Sequence, residues 1–105
     1  MRRVYKRPET KRDLIEHYVY LAEEAGEEVA EKFLTQAEQT FTDLADNREM
    51  GASLTLLNPQ LAGLRKWRVK DFEKFLIFYF PRFDGVSIIR VLHSAQDWWT
   101  KLGIV

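Results

Sequence analysis

Three short apolar runs, residues 64–70, 74–81 and 86–93, follow one another in hairpin order, and this succession limits the fold more than any other feature. Asp84-Gly85 separates the last two runs with a residue pair suited to a tight turn. The middle run, Phe75-Leu76-Ile77-Phe78-Tyr79-Phe80, is apolar at odd and even positions alike, so both of its faces need cover, as in a central strand. A chain of 105 residues has material for one small core, and residues 1–105 are read as one domain.

The N-terminal half has a different period. Val4 and Tyr5, flanked by cations and followed by Pro8, suit an edge strand over residues 2–6. From Glu9, the residues Leu14, Ile15, Tyr18, Leu21, Ala22 and Ala25 recur at three- and four-residue spacing, which predicts a helix with that stripe inward and Gly26 as its stop. A second helix from Glu27 to about Ala45 shows the stripe Val29, Ala30, Phe33, Leu34, Ala37, Phe41, Leu44 and Ala45. With almost no loop between them, the two helices form an antiparallel hairpin. An irregular stretch from Asn47 to Gly63 leads to the hairpin strands.

The resulting order, β-α-α-β-β-β, is that of an α+β domain: an N-terminal helical hairpin packed on a small, mainly antiparallel sheet. The other sheet face is expected to be only partly covered, by the tail Trp98-Trp99-Thr100-Lys101-Leu102. That face and that tail are where a partner is expected.

Charge and cysteine content exclude several classes. There is no Cys and there are two His, which removes a disulfide framework and a cysteine-based zinc site and leaves no metal or cofactor expected. The basic start, Met1-Arg2-Arg3-Val4-Tyr5-Lys6-Arg7, lacks an apolar signal core, and the run Phe75 to Pro81 is far too short to span a bilayer, so a cytoplasmic protein is expected. The formal net charge is +0 and conceals an asymmetry: residues 13–50 hold eleven carboxylates against Lys32 and Arg48, whereas Arg65, Lys66, Arg68, Lys70 and Lys74 crowd the sheet half. Neutrality argues against strong nonspecific nucleic-acid binding and leaves a local basic face open.

Asp13-Leu14-Ile15 with Tyr18, then Gly63-Leu64-Arg65, Trp67-Arg68-Val69, Leu76-Ile77-Phe78-Tyr79 and Arg90-Val91-Leu92-His93, resemble in order and spacing the RelE/ParE toxin superfamily over nearly the whole chain. The resemblance implies the toxin of a type II toxin–antitoxin pair, neutralised by a cognate antitoxin. Two activities occur in that superfamily: RelE-like members cleave messenger RNA on the ribosome, and ParE-like members block DNA gyrase.

Cleavage by the RNA's own 2'-hydroxyl needs a general base, a general acid and cations around the developing phosphorane. RelE-like members place an Arg just before the central Leu-Val-Tyr and a Tyr near the C-terminus. Here Phe75 precedes Leu76-Ile77-Phe78 and no Tyr follows Tyr79. The ParE-like reading is therefore preferred, with one departure: Gln96 lies before Asp97 where many ParE-like chains have Arg. The alternatives are a ribosome-dependent endoribonuclease and a homologue that has lost toxicity and acts as a binding partner.

His93, at a strand end, is either an acid–base group or a hydrogen-bonded structural imidazole, and the second is preferred. In the nuclease reading His93 would work with Arg65, Arg68 or Arg90 as phosphate clamps. In the ParE-like reading Arg65, Arg68, Arg90, Trp98 and Trp99 are the partner-binding candidates. Tyr79 is expected to hydrogen-bond at the core edge, and Trp67 to join the core. Glu23, Glu24, Glu27, Glu28 and Glu31 read as a solvated helix face.

Overall fold

The computed structural model describes residues 2–54, 56 and 58–102, with the Trp99 side chain outside the described set. The elements run β1 (Arg3–Lys6), α1 (Pro8–Ala25), α2 (Glu27–Asp46), β2 (Ala52–Ser53), a 3-10 turn (Pro59–Leu61), β3 (Arg65–Val69), β4 (Phe72–Arg82), β5 (Gly85–His93) and α3 (Trp98–Lys101). The strands form one sheet in the order β1-β5-β4-β3-β2, with β1 parallel to β5 and the other pairs antiparallel. The α+β reading and the helical hairpin are thus present as expected, with β1 at the sheet edge and β4 at its centre.

Pro8 begins α1, where its missing N–H costs nothing. Gly26, at φ 99, closes α1 through its N–H to Ala22 and opens α2 without an intervening loop. From α2, the buried Ala30, Phe33, Ala37, Phe41 and Leu44 pack on Val69, Phe75, Ile77, Tyr79, Val86, Ile88 and Val91 of the sheet.

The opposite sheet face differs from expectation. It is a second core, in which buried Leu64, Phe78, Ile89 and Leu92 are covered by Leu54, Leu56, Leu61, Trp98 and Leu102. The connecting stretch, expected to be merely irregular, supplies β2 and much of this cover. The cause lies in β4, whose even-numbered side chains are as apolar as its odd ones. Leaving Phe78 and Leu92 bare would forfeit about 1.5–3 kcal/mol each.

The inward face of α1 also differs. Its buried residues are Thr10, Asp13, Leu14, His17 and Leu21, whereas Ile15 is 64% exposed. The reason is an unpaired edge. β1 pairs with β5 only as far as Lys6 against Ile88, so among the described residues the outer edge of β5 beyond that point has no strand beside it. α1 runs along this edge and its polar side chains take the place of a strand: Thr10 Oγ1 donates to the Ile88 carbonyl at 2.9 Å, Asp13 Oδ2 accepts the Val91 N–H at 3.0 Å, and His17 Nε2 donates to the Val91 carbonyl at 2.7 Å. A register shift helps. Tyr79 pairs with Ile88 and Phe78 with Arg90, which leaves Ile89 as an extra residue and returns Val91 to the helix side.

Candidate partner-binding surface

The candidate arginines occupy three different settings. Arg90 makes a bidentate pair with Asp13, Nε to Oδ2 and Nη2 to Oδ1, both at 2.7 Å, and its Nη1 donates to the Lys101 carbonyl at 3.0 Å. Arg65 donates through Nη1 to the carbonyls of Gly51 at 2.6 Å and Glu49 at 3.2 Å, pinning the start of the connecting stretch. Tyr79 works beside it: the phenol donates to the Arg48 carbonyl and accepts the Gly51 N–H, both at 2.9 Å, and burial pushes its ionisation up. Arg68 is exposed, its guanidinium 4.4 Å over the Trp67 ring. Trp67 itself is half-buried against the helix-side core.

His93 lies at the end of β5, on a groove of about 400 Å³ lined by Glu16, His17, Tyr20, Phe75 and Gln96. Its backbone N–H donates to Gln96 Oε1 at 2.6 Å, and its Nδ1 accepts the Ala95 N–H at 3.0 Å. A neutral ring in this setting holds its proton on Nε2. Phe75 sits between the two imidazoles, edge-on to both, with ring centroids 4.9 Å from His17 and 5.0 Å from His93. Burial holds the His17 imidazole below the ordinary histidine range, outweighing the Val91 carbonyl and Asp13, which favour its charged form.

This corner does not gather Arg65, Arg68 and Arg90 around His93: two of the guanidiniums are engaged elsewhere, and the Arg68 guanidinium lies over Trp67 on β3. Lys74 lines the adjoining groove with His93, accompanied there by Asp71 and Glu73. Among the described residues, no group of three His, Cys, Asp or Glu is placed to hold a metal ion. What the arrangement offers chemically is a shaped groove with hydrogen-bonding groups and one neighbouring cation, Lys74.

The exposed apolar surface lies mostly on α1. Ile15, Val19 and Tyr20 are 64%, 49% and 55% exposed, and Leu14, Ile15, Tyr18 and Leu34 line a groove between α1 and α2. Tyr18 donates to Glu31 across this groove at 3.0 Å, so its floor is apolar and its rim acidic. The sheet also has a free margin. β2 covers β3 only at Arg65 and Lys66, and the outer edge from Trp67 onward has no strand partner among the described residues. On the second face Trp98 packs on Phe78, ring centroids 5.4 Å apart, with the Lys66 ammonium 5.6 Å from its ring.

Periodicity alone missed the polar seam Thr10, Asp13 and His17 and the outward position of Ile15. The available signal was the spacing of those three polar residues, which share one helix face.

The family model described as the ParE toxin of the type II toxin–antitoxin system, parDE, matches residues 4–98. No curated protein matches the sequence significantly. Among solved structures, a chain of the chromosomal ParDE toxin–antitoxin system from P. aeruginosa superposes with a TM-score of 0.70 at 18% identity, over 89% of this chain and 96% of that one. That likeness concerns the fold, which is the one described above. With the family model spanning all five strands and both long helices, the chain belongs to the ParE toxin family of type II toxin–antitoxin systems.

Proposed function

We propose that the protein arrests growth by binding DNA gyrase through protein–protein contact in the cytoplasm, and that a cognate antitoxin neutralises it by lying along the α1–α2 groove and the free edge of β3. The observation that favours contact over cleavage is the dispersal of the cations. Arg90 is held by Asp13 and Arg65 by backbone carbonyls, while His93 faces a groove walled by Glu16, Tyr20 and Phe75. Transesterification of RNA needs positive charge where the phosphorane develops.

Exposed Arg68 and half-buried Trp98 remain the candidate contacts, with Trp99 next to Trp98 in sequence. Arg65 and Arg90 act on a partner through the segments they hold, residues 48–51 and α3. For the antitoxin, the apolar floor and unpaired strand edge suit a segment that is helical in one part and extended in another, two recognition modes that reuse ordinary secondary-structure packing.

Unopposed induction tests the reading in cells. Growth arrest with transcripts intact supports it; codon-phased transcript ends that disappear in His93→Ala would assign the protein to the ribosome instead. With purified components the readout is loss of supercoiling or trapped, cleaved DNA.

A further inference from the structure

Residues 65–70 read Arg-Lys-Trp-Arg-Val-Lys, and the strand period divides this string between two sides. Trp67 and Val69 join the helix-side core. Lys66 and Arg68 alternate with them along the backbone: Lys66 reaches Trp98 on the opposite face, whereas the Arg68 guanidinium bends over the Trp67 ring at the sheet margin. Lys70 sits in the β3–β4 turn, where its N–H donates to Thr40 Oγ1 of α2, and Lys74 follows on β4; Arg68, Lys70 and Lys74 are all exposed. Cations two residues apart on a strand are separated by about 6.8 Å, comparable with neighbouring phosphates along a nucleic-acid strand.

The row keeps its charge. Among the described residues the ion pairs join Lys6 to Glu38, Arg12 to Glu9, Arg82 to Asp84 and Arg90 to Asp13, and none involves Lys66, Arg68, Lys70 or Lys74. The nearby acids lie in the β3–β4 turn region, where Asp71 accepts a hydrogen bond from Gln36 of α2 and Glu73 is exposed. The many carboxylates of residues 13–50 belong to the helix layer and the segment after it.

We propose that Lys66, Arg68, Lys70 and Lys74 form a binding surface for the phosphodiester backbone of duplex DNA. A duplex rather than a single strand is indicated by the aromatics. The Arg68 guanidinium lies over Trp67, and Trp98 has Phe78 and the Lys66 ammonium about its ring, so each half-buried indole is a poorer platform for an unpaired base to stack on. The proposal goes beyond contact with gyrase, giving the toxin its own grip on DNA, and it is tested without gyrase so that either idea can fail alone.

Fluorescence anisotropy with a labelled mixed-sequence duplex, at rising salt, provides the test. The expected result is a dissociation constant within about 10⁻⁶ to 10⁻⁴ M, with log K falling against log salt at a slope of about −3, near 0.9 per phosphate contacted. Lys66→Gln with Lys70→Gln reduces that slope by about 1.8, Arg68→Gln weakens binding in the same direction, and Lys32→Gln on the exposed side of α2 changes nothing. Circular dichroism confirms that the variants are folded. The proposal is overturned by absent binding at about 10⁻⁴ M protein in low salt, by a slope indifferent to these substitutions, by tighter binding of the single strand, or by a polyglutamate peptide competing as well as the duplex.

Discussion

Asp13 and Arg90 are joined by two hydrogen bonds of 2.7 Å, and the same Asp13 carboxylate holds the Val91 N–H at 3.0 Å. Because Arg90 also reaches the Lys101 carbonyl, this pair connects α1, the free edge of β5 and α3. Side chains that a functional reading would assign to a target are here part of the frame that shapes the surface.

The pair is strongly coupled, and breaking it from one side leaves an uncompensated, largely buried charge. Asp13→Asn is expected to destabilise the protein by about 2–4 kcal/mol. Asp13→Asn with Arg90→Met should cost less than the sum of the single changes, by about 1–3 kcal/mol. Urea unfolding of the four proteins in the cycle measures the coupling, and strictly additive effects would show that the pair is not a structural unit.

His17 gives stability a definite pH dependence. Its imidazole is held below the ordinary histidine range by burial, so in the acid range the unfolded chain binds more protons than the folded one. Stability on this account is full above the unfolded value and is lost as pH falls from about 6.5 toward the lower folded value. Wild type should therefore lose more stability than His17→Asn on going from about pH 7 to 5, whatever the variant's absolute cost. Parallel curves for the two proteins would remove His17 from the account.

Gly85 is required by close approach. At φ 153, a Cβ built there would lie 1.8 Å from the Arg3 carbonyl oxygen of β1. Gly85→Ala is expected to cost more than about 2 kcal/mol and to loosen β1 in particular. Faster hydrogen exchange at the amides of Arg3, bonded to the Asp84 carbonyl, and Arg7, bonded to the Ile88 carbonyl, is the local readout.

Under the proposed function, Ile15 and Val19 belong to the surface offered to the antitoxin. Replacing both with Lys should change stability by no more than about 0.5 kcal/mol, because both side chains are already solvated. Antitoxin affinity should fall about 30-fold or more, the scale of a lost hot spot. Titration calorimetry separates the two effects; undiminished affinity would place the antitoxin elsewhere.

The fold was legible where periodicity has one solution. The α2 stripe, the hairpin strands and the doubly apolar β4 read directly, because a side chain such as Phe33 or Ile77 has nowhere to go but inward. α1 misled the same reasoning. Its inner face serves an unpaired strand edge, which calls for Thr10, Asp13 and His17, and this frees Ile15 to point outward. That requirement arises from the end of β1 opposite Ile88, a tertiary fact whose one local trace is the shared helix face of those three polar residues. Residues 47–63 were opaque for a related reason, since Leu54, Leu56 and Leu61 show no period until the second sheet face is known. At the candidate surface, Arg65 and Arg90 read as cations on strands, and only their partners separate structural from exposed charge.

The most direct test of the central claim is a supercoiling assay with purified gyrase and relaxed plasmid, with the toxin added alone and then with its antitoxin. The account predicts lost supercoiling or accumulated cleaved DNA at near-stoichiometric toxin, retained in His93→Ala and reversed by the antitoxin. Undisturbed supercoiling at large toxin excess would contradict it.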